Sequence, residues 1–507
     1  MTKTSNPSKI VIVGAGPGGL TAAMLLAHRG LDVTVYEKQP YVGGRNSHFK
    51  LGPYKFDLGP TFLMMKFLLD EVFHEAGRNI EDYMQFVQLE PFYRLTFKNQ
   101  SLFTWTDREK MRSEIERCFP GQGSRLDQFH RVERKRFDAM LPCLQKDYSN
   151  VTSLVSPDLI KAMPRLSMGR SVFSVLGDYF NPVDLRLAFT FQAKYLGMSA
   201  WECPGAFAIL SYIEHAFGVF HTIGGLSSIS EGMAKAAEDN GAKIVLSTPV
   251  KQVLVDGRRT TGVLLENGER IPADAVIINA DFAHAMANLF PPNSLRKYTK
   301  SNIERRRYSC STFMLYLGLD KLYDAPHHEI VFAEDYESNV ADIFKHERLS
   351  KDISFYVRNA SITDPTLAPE GHSAVYVLVP VPNLKAGIDW AKEAPAFREL
   401  VLESIERRTP FKDLRKHIVE EKVITPLNWR DDYDVYFGAT FNLAHTLGQM
   451  LYFRPRNRFE EFRSCYLVGG GTHPGSGVPT IVESGRISAN LLCRDLRIPF
   501  ESFNVKV

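Results

Sequence analysis

Residues 10–37 read IVIVGAGPGGLTAAMLLAHRGLDVTVYE. Ile10–Val13 is a short continuous apolar run, the pattern of a strand buried on both faces of a parallel sheet. Gly14-Ala15-Gly16-Pro17-Gly18-Gly19 follows at once, and an apolar helical segment, Leu20–His28, follows that. A second β-rich run, Val33–Tyr36, ends on Glu37, 18 residues after Gly19. Gly14 permits a tight turn, Gly16 lets the backbone approach a pyrophosphate, and Gly19 lets the helix lie on the strand. The N–H groups at the helix start attract a phosphate, Ala15 belongs to the same cofactor-binding turn, and Glu37 can accept from both hydroxyls of an adenosine ribose. A glycine turn without a ligand does not require strand, helix and acid in this order. Ile10–Ala27 is also 18 residues without a charge, the length of a membrane span, but four glycines and a proline interrupt it.

The whole chain sets the bounds. At 507 residues it exceeds one compact core, so two or three domains, interleaved or in series, are expected. A composition of 44% hydrophobic and 23% charged residues excludes disorder, and a net charge of +3 is too near balance for a nucleic-acid partner. The six cysteines form no C-x-x-C pair, which excludes zinc spacing and a disulfide framework and favours a reducing compartment. The fourteen histidines include no H-E-x-x-H, so no metal is expected. Met1–Lys9 is short and polar, and no secretory leader is expected.

Two further motifs follow Glu37: Val42-Gly43-Gly44-Arg45, where paired glycines allow close approach and Arg45 can meet a phosphate, and Phe56-Asp57-Leu58-Gly59-Pro60-Thr61. G-A-G-P-G-G, then E, G-G-R and D-x-G-P-T together resemble the FAD-binding half of flavoprotein amine oxidases and carotenoid desaturases. Near the C-terminus Tyr466–Val468, Gly469-Gly470-Gly471, T-H-P-G-S-G and Val478-Pro479 lead into a helical run, Thr480–Leu492. This resembles the ending of bacterial-type carotenoid desaturases. Its helix start can bring N–H groups to the flavin's pyrimidine end or ribityl chain. Within the family the likeness is nearest to the 4,4'-diapophytoene (dehydrosqualene) desaturases. YLGMSAWECP at 195–204, YSCSTFMLYLGLD at 308–320 and VGGGTHPGSGVP at 468–479 carry it.

The resemblance implies an α/β fold: a two-part Rossmann-like FAD-binding domain, an antiparallel-sheet substrate domain and a helical lid. On that basis residues 8–88, 221–300 and 441–507 are assigned to the FAD-binding domain and 89–107 and 301–440 to the substrate domain. Residues 108–220 become the helical lid and candidate membrane-contact region. Strand-like runs with Asp256-Gly257 and Asn267-Gly268 turns fill 243–279 and end on Asn279-Ala280-Asp281. There the resemblance places Val250 against adenine and Ala280 and Asp281 beside the cofactor. It further implies removal of two hydrogens beside a polyene, with FAD taking a hydride and a weak base sufficing for the proton. Arg134 and Asp352 match polar positions near the family's substrate cavity. His473 is either a base or a histidine that orders the glycine loop.

The implied partners are an apolar carotenoid precursor, a membrane surface, and a quinone or O2 as electron acceptor. The location is cytoplasmic, peripheral on the inner face of the cell membrane. Two segments are candidates for the membrane contact: the basic cluster Arg131–Arg136, which also reads as a solvated helix face, and the uncharged Cys203–Ile213, which also reads as core. Other readings are a terminal-methyl carotenoid oxidase, a forty-carbon phytoene desaturase, an amine oxidase, and a flavin-free prenyl-protein binder of the GDP-dissociation-inhibitor type. Intact Gly14, Gly16, Gly19, Glu37 and Arg45 speak against the last.

Overall fold

The computed structural model of the protein describes residues 7–502. Five parallel strands form the dinucleotide sheet, in the spatial order Cys465–Leu467, Ala275–Ile278, Lys9–Val13, Asp32–Tyr36, Lys243–Val245. The central strand pairs Val13 with Tyr36 on one side and Ile278 on the other, so three distant pieces of chain meet at the glycine turn. Three of them, Lys9–Val13 after its first residue, Ala275–Ile278 and Cys465–Leu467, are buried without alternation, as strands covered on both faces are. Ile10, Ile12, Ala275 and Ile277 pack under the helices Pro17–His28, Ser227–Asp239 and Val478–Leu496. Val11, Val13, Val276 and Ile278 pack with a three-stranded antiparallel sheet, Val250–Asp256, Arg259–Leu265 and Arg270–Pro272. The first and last helices cross closely. A Cβ on Gly485 would lie 2.4 Å from the Gly18 carbonyl oxygen.

The second sheet has seven strands, in the order Ile418–Ile424, Ser311–Leu319, Ser373–Val381, Phe355–Asn359, His328–Val331, Tyr93–Thr96, Ser101–Thr104. It is antiparallel except where Tyr93–Thr96 runs parallel to His328–Val331. Period-two alternation sends Phe313, Leu315 and Val377 to one face, against the helix Trp390–Arg408. Met314, Tyr316 and Tyr376 go to the other, against Tyr54, Phe56 and Leu58 of the dinucleotide half.

Helices between Arg108 and Phe217 form a third layer over the Tyr93 end of this sheet, with a core rich in phenylalanine and tyrosine. In this layer Cys203–Ile213 takes its core reading, and most of the basic cluster takes the reading of a solvated helix face. Cys203, Ala208, Tyr212 and Ile213 are buried, and the helix Ile209–Phe217 carries the buried Glu214, which accepts from the Tyr93 hydroxyl (3.2 Å) and Gln192 Nε2 (2.6 Å). Its apolar residues are core because they face that aromatic layer. In the basic cluster Arg136 turns inward to Glu133 (2.8 Å), while Arg131, Arg134 and Lys135 are exposed. Among the described residues no helix is long and apolar enough to cross a membrane, and no group of side chains could hold a metal ion.

Gly485→Ala is expected to force the first and last helices apart, since the obstructing atom is a backbone oxygen, and to cost about 1–3 kcal/mol. A denaturant midpoint equal to that of the parent protein would show that this crossing is not tight.

Candidate functional site

The glycine turn is held by its neighbours. Gly14 adopts φ +97° and donates its N–H to the Tyr36 carbonyl (2.8 Å). A Cβ on Gly19 would stand 2.4 Å from the Gly14 oxygen, so helix and turn close only around glycine. Asn279 Nδ2 donates to the Gly14 and Gly16 carbonyls (2.9 and 3.2 Å), which locks the turn to the neighbouring strand. Gly16 opens the helix without a side-chain cap, leaving its first N–H groups for a ligand. Ala15 bridges two elements: its N–H donates to Glu37 Oε2 (2.8 Å) and its oxygen accepts from Gly43 N (2.8 Å). A Cβ on Gly44 would meet only the Cα of Gly16, at 3.9 Å, so two bare backbones face each other.

Glu37 ends its strand buried, with Oε1 accepting from Gln39 N (2.9 Å). Its carbonyl accepts from Thr248 N (2.8 Å), which brings the start of the Val250 strand beside it. Arg45 donates to the Thr440 carbonyl (3.0 Å) and lies 3.8 Å from Asp281. Asp281 caps the helix Phe282–Asn288 and accepts from Asn442 Nδ2 (2.6 Å). Burial raises its pKa and Arg45 opposes the rise. Ala280 precedes it on the same strand end.

The D-x-G-P-T segment is fastened to the second sheet by three tyrosines. Tyr316 donates to the Leu58 carbonyl (2.5 Å) and Tyr376 to the Gly59 carbonyl (2.8 Å), and the Tyr356 hydroxyl lies 2.8 Å from Thr61 Oγ1. Pro60 stands between the last two anchors. At the C-terminal loop, a Cβ on Gly471 would strike Phe282 Cβ at 2.4 Å and Asn442 Oδ1 at 2.6 Å. The buried Arg454 donates to the Gly470 and Thr472 carbonyls, and burial brings its pKa down to about 9. The helix beginning Val478-Pro479 has an uncapped glycine, Gly477, at its head.

The three candidate catalytic residues stand on different elements with different partners. Arg134 is on the outer side of the helix Arg125–Leu144 and pairs with Asp138 (2.9 Å) and the Tyr212 hydroxyl. Asp352 accepts from the backbone N–H groups of Glu334 and Asp335 (3.1 and 2.8 Å) and so orders a loop. His473 is buried against Tyr148, with ring centroids 4.9 Å apart. Burial and the nearby Arg454 bring its imidazole down to about 3, so it is neutral.

Sequence reasoning passed over Asn279, Arg358, Arg454 and the tyrosine row, and gave Asp57 no role. A signal existed for the tyrosines. Tyr316 and Tyr376 each interrupt a largely apolar strand, and Tyr356 stands two residues before Arg358, on the same strand face.

The donor set fits FAD: opposed bare backbones for a pyrophosphate, uncapped helix starts, and a buried carboxylate at the end of the second strand. The comparisons agree. The chain is 52% identical to a 4,4'-diapophytoene desaturase (4,4'-diapolycopene-forming) of Methylomonas sp, over 98% of this chain and 97% of that one. It is 38% identical to an all-trans-zeta-carotene desaturase of Myxococcus xanthus, over 96% and 93%. A solved oxidoreductase from Methanosarcina mazei shares the fold, with a TM-score of 0.63 at 16% identity over 94% of this chain and 99% of that one.

Glu37→Ala is expected to weaken FAD binding by about 1.5–3 kcal/mol, the worth of a charge-assisted hydrogen bond, or about one to two decades in Kd. An unchanged Kd, with flavin retained through dialysis, would remove Glu37 from the site. The family described as flavin containing amine oxidoreductase matches residues 17–493, and the chain belongs to it as an FAD-dependent oxidoreductase.

Proposed function

We propose that the protein desaturates a thirty-carbon carotenoid precursor, 4,4'-diapophytoene (dehydrosqualene), in carotenoid biosynthesis. The observation that carries this reading is identity over half of the positions, along nearly the whole of both chains, to the diapophytoene desaturase of Methylomonas. FAD, when bound, supplies the acceptor for a hydride from an allylic carbon. The chain supplies an apolar surround: Phe62, Tyr93, Phe191 and Phe332 pack edge to face in series where the sheet meets the helical layer. Such a wall excludes water and binds a flexible hydrocarbon by buried area, at roughly 25 cal/mol per Å². Arg134, Asp352 and His473 hold supporting positions in this reading, with His473 ordering the glycine loop. The electrons pass on to a quinone or to O2.

The same reading places the protein on the inner face of the cell membrane. Among the described residues thirteen large apolar side chains are exposed, and five of them, Val151, Val155, Ile160, Met163 and Met168, fall within one stretch of the helical layer. Lys161 is exposed among them and Arg165 is half-exposed. A patch of this kind suits the surface of an anionic bilayer, where the substrate is dissolved. The six cysteines are free, as a cytoplasmic setting allows.

With each precursor supplied separately and coloured products resolved by chromatography, diapophytoene is expected to turn over faster than forty-carbon phytoene, which reacts to a lesser extent. Extra length changes discrimination only gradually until a wall is met. Faster conversion of phytoene would overturn the thirty-carbon assignment, and no desaturated product from either would overturn the desaturase reading. Ile160→Asp with Met163→Asp is expected to lower partition onto anionic vesicles at least tenfold, because burying each apolar side chain contributes about 1.5–3 kcal/mol. Equal partition of variant and parent would place the contact elsewhere.

A further inference from the structure

The sheet face that holds the D-x-G-P-T segment carries a titratable ring that nothing above uses. His328 is 1% exposed and shares its strand face with Ile330. Its Nδ1 lies 2.6 Å from the Tyr356 hydroxyl, which reaches Thr61. Its Nε2 is buried without a hydrogen-bond partner. The ring stands edge-on to Phe62 (centroids 5.5 Å) and against Tyr93 (5.6 Å), in the aromatic region that joins Thr61-Phe62 to the helical layer. Leaving a buried polar atom unmatched costs about 1–3 kcal/mol, and such atoms call for a reason. The neighbouring His327 also has an Nε2 without a hydrogen-bond partner, but it differs in place: its Nδ1 bonds to the Thr363 hydroxyl (2.8 Å) and its ring lies tilted against His221 (centroids 4.9 Å), within a polar cluster behind the strand end and away from the aromatic region.

We propose that His328 takes up the proton released in desaturation, in the tautomer whose Nδ1–H donates to Tyr356 and whose Nε2 lone pair faces the reacting carbons. This assignment rests on the desaturase reading. Removing hydrogens from two adjacent carbons requires a hydride acceptor, which FAD supplies, and a proton acceptor. At the second carbon the C–H bond breaks, its electron pair becomes the new C=C bond, and its proton forms an N–H bond at Nε2. Tyr356, tied to Thr61, holds the ring in place for that transfer. The base need not be strong, because a polyene cation is a very strong acid. Burial, with Arg358 and His221 nearby, keeps the ring well below the usual imidazole pKa, hence neutral and able to accept.

The test uses the full-length FAD-loaded protein and diapophytoene deuterated at each of the two carbons in turn. His328→Asn keeps a polar group near the Nδ1 position and removes Nε2. It is expected to retain FAD and the unfolding midpoint, to lower the rate about 10²–10⁴-fold, and to enlarge the isotope effect only at the carbon that loses the proton. A rate within threefold of the parent, or a lower rate with unchanged isotope effects, overturns the proposal. If His328→Asn does not fold with FAD, Tyr356→Phe decides on the same two readouts, with a smaller expected loss. Independently of turnover, the spectrum of ¹⁵N-histidine-labelled protein is expected to contain an unprotonated Nε2 that vanishes in His328→Asn, or shifts in Tyr356→Phe. A protonated Nε2 overturns the proposal, whereas a parent protein that desaturates no precursor strikes the functional reading instead.

Discussion

A buried ion pair between Asp57 and Arg358, 2.7 Å apart with both side chains almost wholly excluded from solvent, sets the position of everything at the site. Charges of this kind persist only when their remaining hydrogen bonds are met. Here the Asp57 carboxylate also accepts from Leu226 N and Ser227 N (2.9 Å each), at the head of the helix Ser227–Asp239. Arg358 donates to His221 Nδ1 (3.1 Å), so His221 carries its proton on Nε2 and gives it to Asp364 (2.9 Å). Burial lowers the pKa of His221 and keeps it neutral in that role. One cluster thus joins both passes of the dinucleotide half to the second sheet. Sliding these parts against each other would strand a charge, at about 3–5 kcal/mol. The pair contributes geometry more than stability.

With the sheet so placed, its register does the rest. Tyr316 stands directly opposite Tyr376, and Tyr376 opposite Arg358 on the next strand. Tyr356 lies one diagonal step further along. Their hydroxyls therefore fall in a row, spaced to meet Leu58, Gly59 and Thr61. Aromatic rings suit this role because they bury area on a pleated face and still carry a polar tip. Beyond Tyr356 the row continues into His328 and then into rings alone, so polarity fades from the dinucleotide half to the aromatic layer over a few residues.

The helical layer is built on a different principle. Its inner face is aromatic and closely packed, and its buried carboxylates Glu133 and Glu214 are matched, the first by Arg136 and Tyr179 and the second by Tyr93 and Gln192. Its outer face between Val151 and Met168 leaves apolar side chains uncovered over a small satellite core, which includes Tyr148 and Leu159. The layer is therefore apolar on two sides, packed against the sheet on one and open between Val151 and Met168 on the other.

The dinucleotide half was legible in the sequence because its requirements are local. A strand buried on both faces, a turn with no room for Cβ, an uncapped helix start and an acid at the next strand's end all lie within 28 residues. The family likeness of the remaining motifs extended that reading to the fold class and the cofactor. Hydropathy alone could not decide Cys203–Ile213, since an apolar run looks the same whether its neighbour is a protein core or lipid, and only packing against the aromatic layer made it core. Neither could spacing assign Asp57, Arg358, Tyr356 or His328. Asp57 and Arg358 are 301 residues apart, and they meet because strand register, not sequence distance, determines which side chains share a face.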